Sequence, residues 1–112
     1  MHEKRKLPRK QAPDKVTVYD RATETAIGQV VNMTTGGVLL LSDSPIPVDR
    51  VFQLRISLPE PIEGTDSLEF GAESLWESPA MYENNYWTGL QIIDISESDS
   101  RLLEILIEDW QS

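Results

Sequence analysis

Ala26-Ile27-Gly28-Gln29-Val30-Val31-Asn32-Met33-Thr34-Thr35-Gly36-Gly37-Val38-Leu39-Leu40-Leu41 is a pair of apolar runs joined by a short polar segment that ends in two glycines. Both runs are rich in β-branched and aliphatic residues, so each predicts a strand. The join, Asn32 to Gly37, reads as a hairpin turn whose backbone is expected to visit positive φ, which glycine does at little steric cost. Asn32 and Thr34 are two residues apart. If the strand continues through them, their side chains project from one face. An amide and a hydroxyl beside a glycine backbone can hydrogen-bond a flat polar group.

The segments on either side extend the β pattern. Val16-Thr17-Val18-Tyr19 alternates apolar and polar as a first strand, and Asp20 to Thr25 is a polar turn. The two runs above are strands two and three. Ser42 to Asp49 is a loop, because Pro45 and Pro47 cannot donate ladder hydrogen bonds. Val51 to Leu58 is the clearest alternating strand, with Phe52, Leu54, Ile56 and Leu58 toward a core and Gln53, Arg55 and Ser57 toward solvent. Pro59 to Asp66, with Pro61 and Gly64, reads as a loop. Ser67 to Glu77 predicts a fifth strand in which Gly71 marks a bulge or corner. Ser78 to Asn85 reads as a loop whose Asn84-Asn85 pair tolerates left-handed backbone, and Tyr86 to Ile93 is the sixth strand. Ser96 followed by Asp99 is an N-cap pattern, and Leu103, Leu106, Ile107 and Trp110 form one apolar helical face behind it. Short antiparallel strands closed by one helix predict a mostly β fold, a six-stranded antiparallel barrel with a C-terminal α-helix.

Length and composition bound the function. The chain has 112 residues, enough for one domain. It has no cysteine, so disulfides and thiolate sites are excluded. No apolar run reaches the ~18 residues of a membrane helix, and the start lacks the apolar core of a secretory signal, so a cytoplasmic location is expected. The single histidine, His2, is adjacent to Met1 and does not supply a catalytic triad or a metal site. No phosphate-binding loop motif is present. Glu97, Asp99, Glu104, Glu108 and Asp109 fall on the polar side of the helix as a solvated face. The expectation is a non-enzyme without metal or cofactor.

Charge is divided along the chain. Residues 1–15 carry six basic side chains against two acidic ones, whereas the rest carries four basic and seventeen acidic, for a net −9. Pro8 and Pro13 disfavour helix in the leading segment, and Gln11 to Asp14 reads as extended linker. The organisation expected is a flexible basic arm over 1–14 and a barrel over 15–112. An anionic body repels DNA or RNA, so a small anion held between arm and body fits the pattern better. Within the arm, Arg5 and Arg9 offer two guanidinium forks four residues apart, suited to bidentate contact with phosphate or with the O6/N7 edge of guanine.

Arg5-x-x-x-Arg9 followed by Asn32-x-Thr34-x-x-Gly37 resembles the PilZ domain, the bacterial receptor module for cyclic di-GMP. That family carries Arg-x-x-x-Arg near its start and Asp/Asn-x-Ser-x-x-Gly after its second strand; here Thr34 stands in place of Ser and keeps the hydroxyl. The resemblance runs from Arg5 to the terminal helix and implies the same barrel-plus-helix fold. It implies that Arg5 and Arg9 grip guanine edges and phosphates, that Asn32 and Thr34 hydrogen-bond a guanine, and that Gly37 keeps the surface open. Lys4, Lys6, Lys10, Gly36 and Trp76 are secondary candidates. The lysines add positive charge, and Lys4 precedes the first arginine, where the family sets whether one ligand or a stacked pair is held. Trp76 ends strand five, where some relatives place an aromatic near the ligand; core or rim packing is the other reading. Trp87 and Trp110 are expected in the core. The function implied is a cyclic di-GMP receptor that relays its signal to a downstream protein, such as motility, pilus or polysaccharide machinery. The alternative is a PilZ-like protein-interaction adaptor that binds no nucleotide; such relatives usually lack the arginines that this chain retains.

Overall fold

The computed structural model describes residues 10–11, 16–81 and 84–110. Its strands are β1 (Lys10–Gln11), β2 (Thr17–Asp20), β3 (Thr25–Met33), β4 (Gly37–Ser42), β5 (Val51–Ile62), β6 (Thr65–Pro79) and β7 (Tyr86–Asp94), followed by α1 (Glu97–Asp109). Every pairing is antiparallel. Six strands run in the order β3, β2, β5, β6, β7, β4, and β4 pairs back onto β3, closing a barrel. Closure removes the free edges that an open sheet would present. β1 adds two residues beside the end of β3, pairing Lys10 with Met33 and Gln11 with Asn32.

Alternation, interrupted by bulges in β3 and β6, gives each strand an apolar row on the inner side of the barrel. Leu54, Ile56 and Leu58 of β5 are buried as expected; Phe70 and Leu68 of β6 lie opposite Leu54 and Ile56, and Ala72 opposite the partly buried Phe52. Val18, Val30, Met33, Val38 and Leu40 complete the interior. The helix begins as its sequence predicts: the Ser96 side chain accepts a hydrogen bond from Asp99 N at 3.1 Å. Leu102, Leu103, Leu106 and Trp110 are buried on its inner face, and α1 lies against β5 and β6. Asp99 is half-buried rather than part of the solvated face, and its Oδ2 accepts from Glu69 N at 3.2 Å, tying the first helical turn to β6.

Ser74 anchors the loop that carries Pro45 and Pro47. Fully buried in β6, its hydroxyl donates to Pro47 O at 2.6 Å, while Arg50 N donates back to Ser74 Oγ at 3.2 Å. In this way a segment that proline bars from the ladder still satisfies its backbone groups.

Several expectations need correction. Pro59 to Asp66 is not a loop: β5 runs to Ile62, β6 starts at Thr65, and only Glu63-Gly64 turns, with φ of 51° and 81°. Positive φ at both central residues is the turn that matches strand twist in a two-residue hairpin. The two prolines are tolerated because the ladder is interrupted between Ser57 and Ile62. β6 likewise extends through Pro79, into the predicted Ser78–Asn85 loop, although Asn84 does adopt left-handed backbone at φ 64°. Trp87 is not in the core. Leu90 and Thr88 take the inward parity of β7, which turns Trp87 to the outer face, half-buried beside Leu41. Thr88 is fully buried, and among the described residues its Oγ1 has no hydrogen-bond partner.

Candidate functional site

The Thr34–Gly36 connection between β3 and β4 departs from the positive-φ turn expected of two glycines. Neither Gly36 nor Gly37 has positive φ. The turn is held by a side chain instead: Thr34 Oγ1 accepts from the amides of Gly36 and Gly37, both at 3.1 Å, and Thr34 N donates to Gly37 O at 2.9 Å. A threonine hydroxyl that bonds the backbone two and three residues on is a recognised turn former. Glycine has a different use at 37, where an added Cβ would come within 2.9 Å of Leu90 O on the neighbouring strand. Gly36 is exposed, and nothing lies within 4 Å of the position of its absent Cβ.

Two bulges then set which side chains reach the outside. In β3 the register shifts between Val30 and Asn32, so Val31 and Asn32 both lie outward while Val30 and Met33 are buried. In β6 it shifts between Ser74 and Trp76, so Leu75 and Trp76 both lie outward although Ser74 is buried. Strict alternation would have turned Asn32 in with Val30 and Trp76 in with Ser74. A bulge re-aims the chain after it, and here the two re-aim toward one surface.

On that surface the cross-strand pairs run Gln11, Asn32, Leu39, Gly89, Trp76. They frame a groove of about 300 Å³ lined by Asn32, Thr34, Gly37, Leu39, Leu75 and Trp76, among others. The structure therefore brings together Asn32, Thr34, Gly37 and Trp76. Arg5, Arg9, Lys4 and Lys6 lie outside the described residues. The backbone of Lys10, one peptide bond beyond Arg9, pairs with Met33 between the two polar groove residues.

Among the described residues no charged side chain lines this groove. It offers the Asn32 amide, the Thr34 hydroxyl and an apolar wall of Leu39, Leu75 and the Trp76 indole, which suits a flat polar ring more than a bare anion. Both lone pairs of Thr34 Oγ1 are occupied by the Gly36 and Gly37 amides, which leaves its proton to donate. The body cations are engaged elsewhere. Arg21 pairs with Glu69 at 3.4 Å, Arg55 with Glu24 at 3.3 Å and Arg101 with Glu63 at 2.7 Å, while Arg50 sits over Phe52. A second depression, of about 320 Å³ around Thr17, Gln29, Ser42 and Asp43, contains none of the motif residues. Among the described residues no group of three or more His, Asp or Glu could hold a metal ion, and no helix is long and apolar enough to cross a membrane.

Sequence reasoning missed Leu39, Leu75 and Gly89 as groove residues. No local signal marks them, because their place depends on the two bulges and on pairing between distant strands.

A family model for the PilZ domain matches residues 3–109. Comparison with curated proteins returned no match. Among solved structures, the PilZ domain of Escherichia coli YcgR with c-di-GMP superimposes with a TM-score of 0.70 at 14% identity, over 96% of this chain and 92% of that one. Escherichia coli YcgR in complex with c-di-GMP gives 0.70 at 15% identity, over 95% of this chain and 45% of that one. The Bacillus subtilis inhibitor of motility, MotI/DgrA, gives 0.67 at 21% identity, over 96% and 51%. The chain thus spans about half the length of MotI/DgrA. At these identities the likeness is one of fold.

Proposed function

Because this chain belongs to the PilZ domain family, we propose that it is a receptor for cyclic di-GMP and relays ligand binding to a protein partner. The observation that carries the reading is a groove whose described lining bears no charge, with Lys10 and Gln11, the residues that follow Arg9, paired to Met33 and Asn32 of β3. Asn32, Thr34 and the apolar wall supply what a guanine base needs, and the charge that two phosphates need is concentrated in Lys4, Arg5, Lys6, Arg9 and Lys10. The pairing of Gln11 with Asn32 supports this reading, because it sets the residues that follow Arg9 beside Asn32.

In this reading Asn32 and Thr34 hold one base on the barrel, and Gly37 keeps the floor low. Thr34, restricted to donating, meets the O6 acceptor of guanine; adenine carries a donor amino group at that position, so cyclic di-AMP is disfavoured. Arg5 and Arg9 grip the guanine edges and phosphates bidentately, with the lysines adding long-range attraction. The part of the arm ahead of β1 orders as it closes over the ligand and presents a new surface to the partner, an order–disorder switch of the kind used by other signalling proteins. Such a receptor works in the bacterial cytoplasm and performs no chemistry of its own.

Isothermal calorimetry with cyclic di-GMP tests this, with cyclic di-AMP as the control. Saturable heat for the guanine ligand and much weaker heat for the adenine one is the expected result. No heat and no rise in melting temperature at high cyclic di-GMP would leave the nucleotide-independent adaptor as the function.

A further inference from the structure

Gly89 sits mid-strand in β7, where a residue without a side chain weakens a sheet and usually marks a close approach. What approaches is the Trp76 indole. A Cβ built on Gly89 would fall inside contact distance of Trp76 Nε1, at 2.5 Å from Cε2 and 2.9 Å from Cζ2. The ring therefore lies across the Gly89 backbone, directly over its cross-strand partner. Trp76 is nonetheless 47% exposed. An indole with one side against backbone and about half its surface open is held in place and still has surface to offer a ligand.

We infer that Gly89 is a positioning residue of the ligand site, whose missing side chain lets Trp76 form a preset stacking platform in the groove. The inference rests on the cyclic di-GMP reading above and deepens it. Leu39 and Gly89 are paired, so the space over Gly89 joins the space over Leu39 and Asn32. A base held at its edge by Asn32 and Thr34 then has the indole beside it without prior rearrangement, and binding does not have to order that side chain. Any side chain at 89 occupies the place of the ring and lifts it off the sheet. Gly37 is different in kind, because the atom that crowds it is backbone, Leu90 O. Gly89 is crowded by a side chain that can move, so substitution there changes the groove while the ladder remains.

A double-mutant cycle with Gly89→Ala and Trp76→Ala, read by calorimetry with cyclic di-GMP, tests the assignment. Trp76→Ala is expected to weaken binding by about tenfold or more, the scale of one base–aromatic stack. Gly89→Ala should weaken it comparably, and in the Trp76→Ala background Gly89→Ala should have no further effect. In wild type, ligand should change the indole fluorescence, and this response should be lost in both single variants even though Trp87 and Trp110 remain. Wild-type affinity in Gly89→Ala, or losses that add in the double variant, would overturn the role of Gly89 while leaving the receptor reading intact. Absence of binding by the wild type would instead sink that reading, and this inference with it.

Discussion

Replacing Thr34 by valine removes one oxygen and keeps the shape. The structure assigns that oxygen two amides, Gly36 N and Gly37 N, both at 3.1 Å. Each bond contributes about 0.5–1.5 kcal/mol net, toward the lower end for Gly36, whose exposed amide finds water instead, and toward the upper end for half-buried Gly37. Thr34→Val should therefore destabilise the fold by about 1–2 kcal/mol. That is small beside the ~5–15 kcal/mol of a typical domain, so the variant stays folded and its binding is measurable. The same substitution removes the donor assigned to the guanine and leaves an acceptor unpaired, at about 1–3 kcal/mol. The affinity for cyclic di-GMP should fall by roughly one to two orders of magnitude. Thr34→Ser keeps the oxygen and should match wild type in both quantities. Urea denaturation and calorimetry on the three proteins separate the effects. Unchanged stability for valine would show that the hydroxyl does not hold the turn. Lost stability with unchanged affinity would show that it holds the turn and never reaches the ligand.

Arg5→Ala and Arg9→Ala should each cost one to two decades of affinity, since a charge-assisted contact contributes roughly 1.5–3 kcal/mol, with little change in melting temperature. Lysine at either position should not restore binding, for want of the planar fork; wild-type affinity in any of these variants would remove the arm from the site. Amide exchange over residues 3–9, ahead of β1, should slow when cyclic di-GMP is added, because neutralising five clustered cations offsets their mutual repulsion and the cost of ordering the arm. An arm already protected without ligand would replace the switch with a preformed pocket. Thr88→Val should stabilise the protein by about 1 kcal/mol, since it replaces a fully buried oxygen that has no hydrogen-bond partner among the described residues with a methyl of similar size. Denaturation that finds the variant less stable would show that Oγ1 is satisfied in solution.

Local signals in this sequence were strong where they are local in physics. The alternation of Val51–Leu58, the Ser96 cap and the Leu103–Trp110 stripe each depend on neighbours a few residues away, and all three appear where the sequence puts them. Asn32 and Thr34 also line one groove, but through the bulge after Val30 and the turn after Met33 rather than through an unbroken strand. What the sequence left open was the side of a strand on which a single residue falls. Trp76 reads as inward or outward according to whether one residue, Leu75, is spent on a bulge, and nothing near Leu75 announces that. The bulge follows from pairing with β7, 13 residues further on in the case of Gly89 and Trp76. Gly36-Gly37 misled in the same way. Two glycines in a turn suggest positive φ, but Thr34 holds the turn, and Gly37 is small because Leu90 O of another strand is close. The sequence by itself determined most of the elements and the family, because periodicity, capping and motif spacing are properties of short segments. Only the tertiary structure decided which side chains share the groove and gave Gly89 a purpose, because those depend on register between strands that meet only when the barrel closes.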